Sequence, residues 1–292
     1  MGAREFSFAP PSPAADAVRE YSFTAQDFDR VRKLIYARAG ISLNESKQNM
    51  VYSRLSRRLR TLGVASFGHY LDQLESDAAF MAAESQEFVN ALTTNLTAFF
   101  REPHHFPVLA EFLRRHAGAP GLRLWCAAAS TGEEPYSLAM TLIEALGAGT
   151  SARLLATDID THVLEAARRG VYRLDAARQC GEARLKRFFL RGSGANEGMV
   201  RVKPEAQRLV EFEPLNLLES GWSAQRRFAG QLDVVFIRNV MIYFDKPTQR
   251  QILERLAAVI RRGGLLFIGH SENFTDQREL FVLRGKTVYE RI

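Results

Sequence analysis

Apolar positions recur every three or four residues between about 24 and 92, in segments separated by polar caps and glycines. Thr24 with Asp27 resembles a capping box ahead of FDRVRKLIYARAG, and Gly40 closes that helix. A second helix is predicted over 46–62, stopped by Gly63, and two shorter ones near 66–75 and 77–92. From Leu122 the period changes. The apolar runs LRLWC and ARLLATDID alternate with amphipathic stretches, one ending near Gly147 and one at THVLEAARRG. VEFEPLNLL, DVVFIRNVMIYF and GLLFIGHSENF continue the strand pattern, a helix is expected over 247–262, and FVLRGKTVYERI reads as a last strand pair. Strands alternating with helices predict an α/β domain whose mostly parallel sheet is covered on both faces. FFLRGSGANEGMVRV interrupts that alternation, so residues from about 173 to 205 read as a small inserted β-subdomain. The expected layout is a flexible Ala/Pro-rich tail over 1–20, an all-helical domain over 21–92 and an α/β domain over 93–292.

Composition narrows the class only a little. The 292 residues are 46% hydrophobic and 25% charged, as in ordinary globular chains. No apolar run of about 18 residues is present, so no membrane insertion is expected. The first residues lack the apolar core of a signal peptide. Cys126 and Cys180 show no metal-ligand spacing, which fits a reduced, cytoplasmic protein with no metal. A net charge of +6 favours an acidic partner without choosing among nucleic acid, an anionic surface and an acidic protein.

The chemistry concentrates at AAASTGEEPYS, residues 127–137, between the first strand and the first helix of the α/β domain. That turn is where such folds hold a nucleotide cofactor. G-x-G-x-x-G is missing, and Glu133 and Glu134 stand at the helix N-terminus, with Pro135 in the first turn. The partial positive charge there is expected to stabilise both ionised carboxylates. Two carboxylates repel a pyrophosphate, and no P-loop lysine follows. A cationic ligand fits better. S-adenosylmethionine presents an ammonium and a sulfonium, and Asp158 at the end of LLATDID is suited to two ribose hydroxyls. The plainer reading is that Glu133, Glu134 and Asp158 merely cap helices.

LTTNLTAFFRE (92–102), AAASTGEEPYS, ATDID, RGSGANEG (191–198), NLL, IRNVMIYFDK and GHSENF together closely resemble the CheR family of bacterial chemotaxis receptor methyltransferases, which are protein-glutamate O-methyltransferases. The resemblance runs from about residue 24 to the end. It implies a helical receptor-docking domain before a Rossmann-like S-adenosylmethionine-dependent methyltransferase domain with an inserted β-subdomain. By motif, cofactor contacts fall on Asn95, Thr97, Arg101, Glu134, Asp158, Asn216, Leu217, Arg238 and Asn239, and Tyr243 is implied to face the methyl group. The preference for Glu134 over Glu133 comes from the motif alone.

The implied reaction turns glutamate side chains of a chemoreceptor's cytoplasmic helices into methyl esters, releasing S-adenosylhomocysteine. A free glutamate has a pKa near 4.3, so no general base is required, and His104, His105 and His270 are not obliged to act. Arg101 is the expected catalytic positioning group, its alternative being a surface ion pair with Glu102 or Glu111, and Tyr243 is expected to set its ring against the sulfonium. On a helical wheel, Lys47, Arg54 and Arg58 share one flank of 46–62 and form the expected docking stripe. Arg191, Gly192, Gly194 and Gly198 resemble the loop with which some family members hold the receptor's C-terminal pentapeptide. The rivals are a nucleic-acid methyltransferase, disfavoured because RNVMIYF lacks the Pro-Pro-aromatic motif, and a silent receptor-binding adaptor.

Overall fold

A computed structural model describes residues 20–119, 121–228, 230–274 and 278–292. The expected tail therefore lies outside the described residues, except for Glu20. Helix α1, Ala25–Ala39, opens on a reciprocal capping box: Thr24 accepts from the Asp27 N–H and Asp27 accepts from the Thr24 N–H at 2.9 Å. Gly40, at φ 68°, ends it. Helix α2, Gln48–Leu62, follows a 3-10 turn at Glu45–Lys47 and stops at Gly63. Helices α3, Phe67–Ser76, and α4, Ala78–Leu92, start from the side-chain caps of Ser66 and Asp77. Val51, Leu55 and Leu59 of α2 point inward and join Ile35, Phe67 and Phe88 in one core.

The docking stripe is not what the wheel predicts. Arg58 lies over α4, its Nε donating to Glu84 Oε1 at 2.6 Å and its Nη2 to the other carboxylate oxygen. Glu84 is buried and also accepts from the Tyr70 hydroxyl at 2.9 Å. Arg54 donates to the Thr93 carbonyl and reaches the Thr94 hydroxyl at 3.4 Å, pinning the segment between the domains. Of the three expected residues only Lys47 stands exposed. The physical reason is reach: these long side chains lie across the domain to acceptors contributed by other parts of the chain.

The second half is the α/β domain. Its first elements are α5, His105–Arg115; β1, Arg123–Cys126; α6, Glu133–Leu146; β2, Arg153–Asp158; and α7, Thr161–Arg169. The subdomain follows, with β3, Val171–Arg173; α8, Leu174–Ala177; α9, Glu182–Phe188; β4, Phe189–Arg191; and β5, Met199–Val202. Then come α10, Pro204–Gln207; β6, Val210–Pro214; α11, Ser223–Phe228; β7, Leu232–Ile237; α12, Lys246–Val259; β8, Ile260–Ile268; β9, Phe281–Gly285; and β10, Val288–Arg291. The main sheet runs β6-β2-β1-β7-β8-β10-β9, parallel through β8 and antiparallel over the last two strands. The chain moves outward from β1 in one direction and from β7 in the other. The crevice between their C-terminal ends is the topological switch point.

The helix expected over 247–262 ends at Val259. Ile260 is buried and pairs with Leu232, and Arg261 reaches Asp233 at 2.7 Å, so both already belong to β8. The insert is a separate antiparallel sheet, β3-β5-β4, which leaves β4 at an edge. A Cβ on Gly192 would stand 2.1 Å from the Asn196 carbonyl oxygen, and Gly194 and Gly198 turn at φ 57° and 80°. These glycines fold their own loop; close approach by a peptide is not what demands them.

The two halves meet through specific bonds. Asn216 donates to the Arg38 carbonyl at 2.7 Å, Tyr36 to Asp245 at 2.7 Å, and the Ser42 N–H to the Tyr243 carbonyl at 2.8 Å. Gln86 of α4 donates to the Ile159 carbonyl at 2.8 Å. The helical domain thereby becomes one wall of the crevice.

Candidate functional site

The cleft lies at the C-terminal ends of β1, β2 and β7, closed on one side by Ala39, Ile41, Lys47 and Met50 and by residues 92–97. The turn from β1 to α6 is sharply bent, with Ser130 at φ 48° and Gly132 at φ 100°. A Cβ on Gly132 would come within 2.6 Å of the Tyr172 hydroxyl and 2.9 Å of the Ala167 Cβ, so only glycine closes this turn.

The two glutamates separate. Glu133 turns back on its own loop, accepting from the Thr131 hydroxyl at 2.6 Å, and does not line the cleft. Glu134 lines it. Its Oε1 accepts weakly from the Cys126 thiol at 3.4 Å, and its Oε2 lies 3.1 Å from Arg238 Nη1. The helix N-terminus is not the dominant influence on either carboxyl, contrary to expectation. Burial pushes both carboxyl pKa values up, and for Glu134 the Arg238 charge only partly offsets this.

Asp158 does not cap α7; Asp160 does, accepting from His162 N at 2.9 Å. Asp158 accepts from the Ser130 N–H at 2.8 Å and the Asp160 N–H at 3.0 Å, yet burial pushes its pKa up to about 6. The segment between the domains brings Asn95, which donates to Asp160 at 2.7 Å and whose carbonyl accepts from the Ser130 hydroxyl at 2.9 Å. Arg101 donates to the Leu96 carbonyl at 2.9 Å.

Arg238, at the end of β7, is wholly buried. It donates to the Arg101 carbonyl at 2.6 Å and sits between Glu134 and Glu102, the latter at 3.5 Å. Its Nε has no hydrogen-bond partner among the described residues. Asn239 takes φ 57°, a turn held by the buried Glu272, which accepts from the N–H groups of Asn239, Met241 and Gly269. Tyr243 follows on a 3-10 turn, half-buried in the cleft.

All the residues that the sequence assigns to the cofactor, together with Tyr243 and Lys47, line this one cleft. Arg54, Arg58 and the glycine loop from Arg191 to Gly198 do not. Asn216 lines it with its side chain already engaged: its Nδ2 goes to Arg38 and its Oδ1 accepts from the Leu218 N–H at 3.0 Å. Arg101 makes no ion pair among the described residues; Glu111 pairs with Arg115, and Glu102 with His270 at 3.0 Å. Two carboxylates thus flank one buried guanidinium, and a second guanidinium stands free in the cleft. Within the cleft itself the carboxylates are Glu134 and Asp158, an acidic pair that suits a cationic ligand with ribose hydroxyls better than a pyrophosphate.

Residues 26–93 match the model of the CheR methyltransferase all-alpha domain, and residues 95–289 that of the CheR methyltransferase SAM-binding domain. The chain belongs to the CheR methyltransferase family. It is 54% identical over 281 residues to the chemotaxis protein methyltransferase 2 of Pseudomonas aeruginosa, covering 96% of this chain and 97% of that protein. It is 53% identical to the chemotaxis protein methyltransferase of Escherichia coli, covering 90% of this chain and 89% of that protein. A probable chemotaxis protein methyltransferase of Rhizobium etli is 41% identical, with 88% of this chain and 96% of that protein covered. This CheR chain is an S-adenosylmethionine-dependent methyltransferase.

Two features of the CheR site escaped the sequence. Glu102 reads there only as a possible partner for Arg101, whereas it gathers Arg238, His270 and Asn239. His270 and Arg238 outweigh burial and hold its pKa below the usual value. Glu272, inside GHSENF, shapes the 239–241 turn from 31 residues away or more. Its position in a matching motif was the one available signal.

Proposed function

We propose that this CheR-family chain esterifies glutamate side chains on chemoreceptor cytoplasmic helices, and so works in chemotactic adaptation in the cytoplasm. The carrying observation is an unpaired guanidinium, Arg101, in a cleft whose described lining contains no histidine. A glutamate is ionised at neutral pH and attacks without a base, so positioning is what it needs. His105 is fully buried against Thr287, and His270 is tied to Glu102. Among the described residues no helix is long and apolar enough to cross a membrane.

In this reading Glu134 accepts from the ammonium of S-adenosylmethionine and Asp158 from its ribose hydroxyls. Arg238 orients Glu134 from behind. Asn95, Thr97, Asn216, Leu217 and Asn239 complete the walls, and the Tyr243 ring faces the sulfonium. Arg101 steers the substrate carboxylate. Its oxygen bonds to the methyl carbon as the carbon–sulfur bond opens, leaving a neutral ester and S-adenosylhomocysteine. Opposite charges vanish in that step, which a half-dry cleft favours over water. Lys47 and the exposed Arg57 and Arg60 offer positive charge to an acidic helix. The open edge of β4, ending at Arg191, can take a receptor C-terminal pentapeptide as an added strand.

The test is methyl transfer from labelled S-adenosylmethionine to a receptor cytoplasmic fragment, followed by mild base. Methanol released by base marks a carboxyl ester. A base-stable label overturns the glutamate assignment.

The Asp158 role carries a pH signature. Its carboxyl is raised to about 6, so its contribution to stability of the cofactor-free protein is full below the unfolded value and lost as pH rises through 6. Hydroxyl donors favour the ionised form. Cofactor binding should therefore weaken as pH falls through 6 and should release a proton there. Calorimetry in two buffers of different ionisation enthalpy reads the proton directly, and equal heats near pH 6 would remove Asp158 from the ribose.

A further inference from the structure

Behind Arg238, outside the lining of the cleft, Glu102, His104 and His105 bring one donor atom each within 4.8 Å of one another. The tautomer of His105 follows from its neighbours. The Thr287 hydroxyl donates to the Lys286 carbonyl at 2.5 Å, so its oxygen is free to accept. His105 Nε2 lies 2.9 Å from that oxygen and 3.3 Å from the Lys286 carbonyl, so Nε2 carries the proton. Nδ1 is left as a bare lone pair. It faces Glu102 Oε2 at 3.7 Å, and both atoms are buried without a hydrogen-bond partner among the described residues. Arg238 Nη2 meets Oε2 from one side at 3.5 Å, outside hydrogen-bonding geometry, but the two acceptors facing each other in the interior remain costly unless something positive also stands between them.

We infer that Glu102, His104 and His105 form a binding site for a divalent d-block cation of the zinc type. Two imidazoles and one carboxylate are a ligand set such ions accept, with a fourth position left to water. Ligand bonds of about 2.0–2.2 Å at tetrahedral angles separate donors by roughly 3.4 Å, close to the gap between Oε2 and Nδ1. His104 is only half-buried and can swing inward to complete the set. The Nε2 proton of His105 on Thr287, and His270 on the other oxygen of Glu102, are the outer bonds that fix ligand orientation. Charge permits it: Glu102 and Glu134 together exceed the single charge of Arg238, and both histidines can stay neutral. The spacing Glu-x-His-His is unlike standard zinc motifs, so it goes unnoticed in the sequence. Glu102 joins this site through Arg238 to Glu134. A bound cation would take up part of the Glu102 charge and leave Arg238 more firmly on Glu134. The inference does not depend on which substrate is methylated.

The experiment titrates the full chain, stripped with chelator, with Zn2+ alone by calorimetry and with Co2+ by visible absorption. One equivalent should bind, with the d–d bands of a low-coordinate Co2+ site. His104→Gln should weaken binding at least about tenfold, as expected for loss of a ligand, with an unchanged melting temperature. No stoichiometric binding by the wild-type chain overturns the site. Undiminished binding by a folded His104→Gln variant overturns it equally.

Discussion

Arg58→Ala is expected to destabilise the helical domain by about 3–5 kcal/mol, the range for removing one partner of a buried ion pair. The pair is two parallel hydrogen bonds between α2 and α4, with the Glu84 side chain 3% exposed and Arg58 21% exposed. Without the guanidinium, Glu84 keeps only the Tyr70 hydroxyl and remains inside the core. Urea denaturation followed by circular dichroism measures the loss. The double variant Arg58→Met/Glu84→Leu should recover most of it, because no charge is then left buried. Arg57→Glu and Arg60→Glu, on exposed positions of the same helix, should leave the midpoint almost unchanged. A shift below about 1 kcal/mol for Arg58→Ala would put the pair among surface ion pairs and reopen Arg58 as a docking residue. The consequence for function is direct: lost receptor methylation in an Arg58 reversal reports an unfolded wall of the cleft before it reports a lost contact.

That pair also marks where the sequence stops being legible. Local rules read well. Thr24 and Asp27 cap α1 because both partners lie within one turn, and Gly40 and Gly63 end helices because a left-handed residue is needed there. The mostly parallel sheet could be anticipated from alternation alone, though not its strand order. The cleft was legible because its residues sit at strand ends in recognisable motifs. What failed were links between distant side chains. Arg58 and Glu84 are 26 residues apart on different helices, and Glu102 and His270 are 168 apart. No periodicity encodes such pairs. A basic helix without acids therefore reads as a docking stripe when its acid is supplied by a neighbour. The end of α12 failed for a related reason: Arg261 continues a helical pattern, and it is the pairing of Ile260 with Leu232 and the bond of Arg261 to Asp233 in the adjacent strand that assign it to β8. Burial, too, is a property of the whole fold, which is why the pKa of Glu134 moves up although its helix terminus alone would move it down.

Arg101→Ala should lower kcat, measured at saturating S-adenosylmethionine and receptor fragment, by at least about tenfold, or ~1.4 kcal/mol of transition-state stabilisation. The guanidinium is held at one point by the Leu96 carbonyl at 2.9 Å and pairs with no carboxylate among the described residues, so its charge is available to the cleft. A fork of this kind aligns a carboxylate in two directions at once. The alignment must stay loose. The negative charge of the attacking glutamate fades as the methyl group transfers, so a tight ion pair would favour the ground state and slow the reaction. A backbone carbonyl is a suitable tether because it takes up part of the donor capacity without neutralising the charge. Arg101→Lys keeps the charge and loses the fork, so it should fall between wild type and alanine. The split between kcat and KM decides what Arg101 does. A fall confined to KM makes it a binding group for cofactor or receptor. A fall in kcat at saturation makes it the group that holds the reacting oxygen in line. Unchanged kcat in a folded Arg101→Ala protein removes it from the chemical step, and leaves the cleft with positioning supplied by Tyr243 and the docked receptor helix alone.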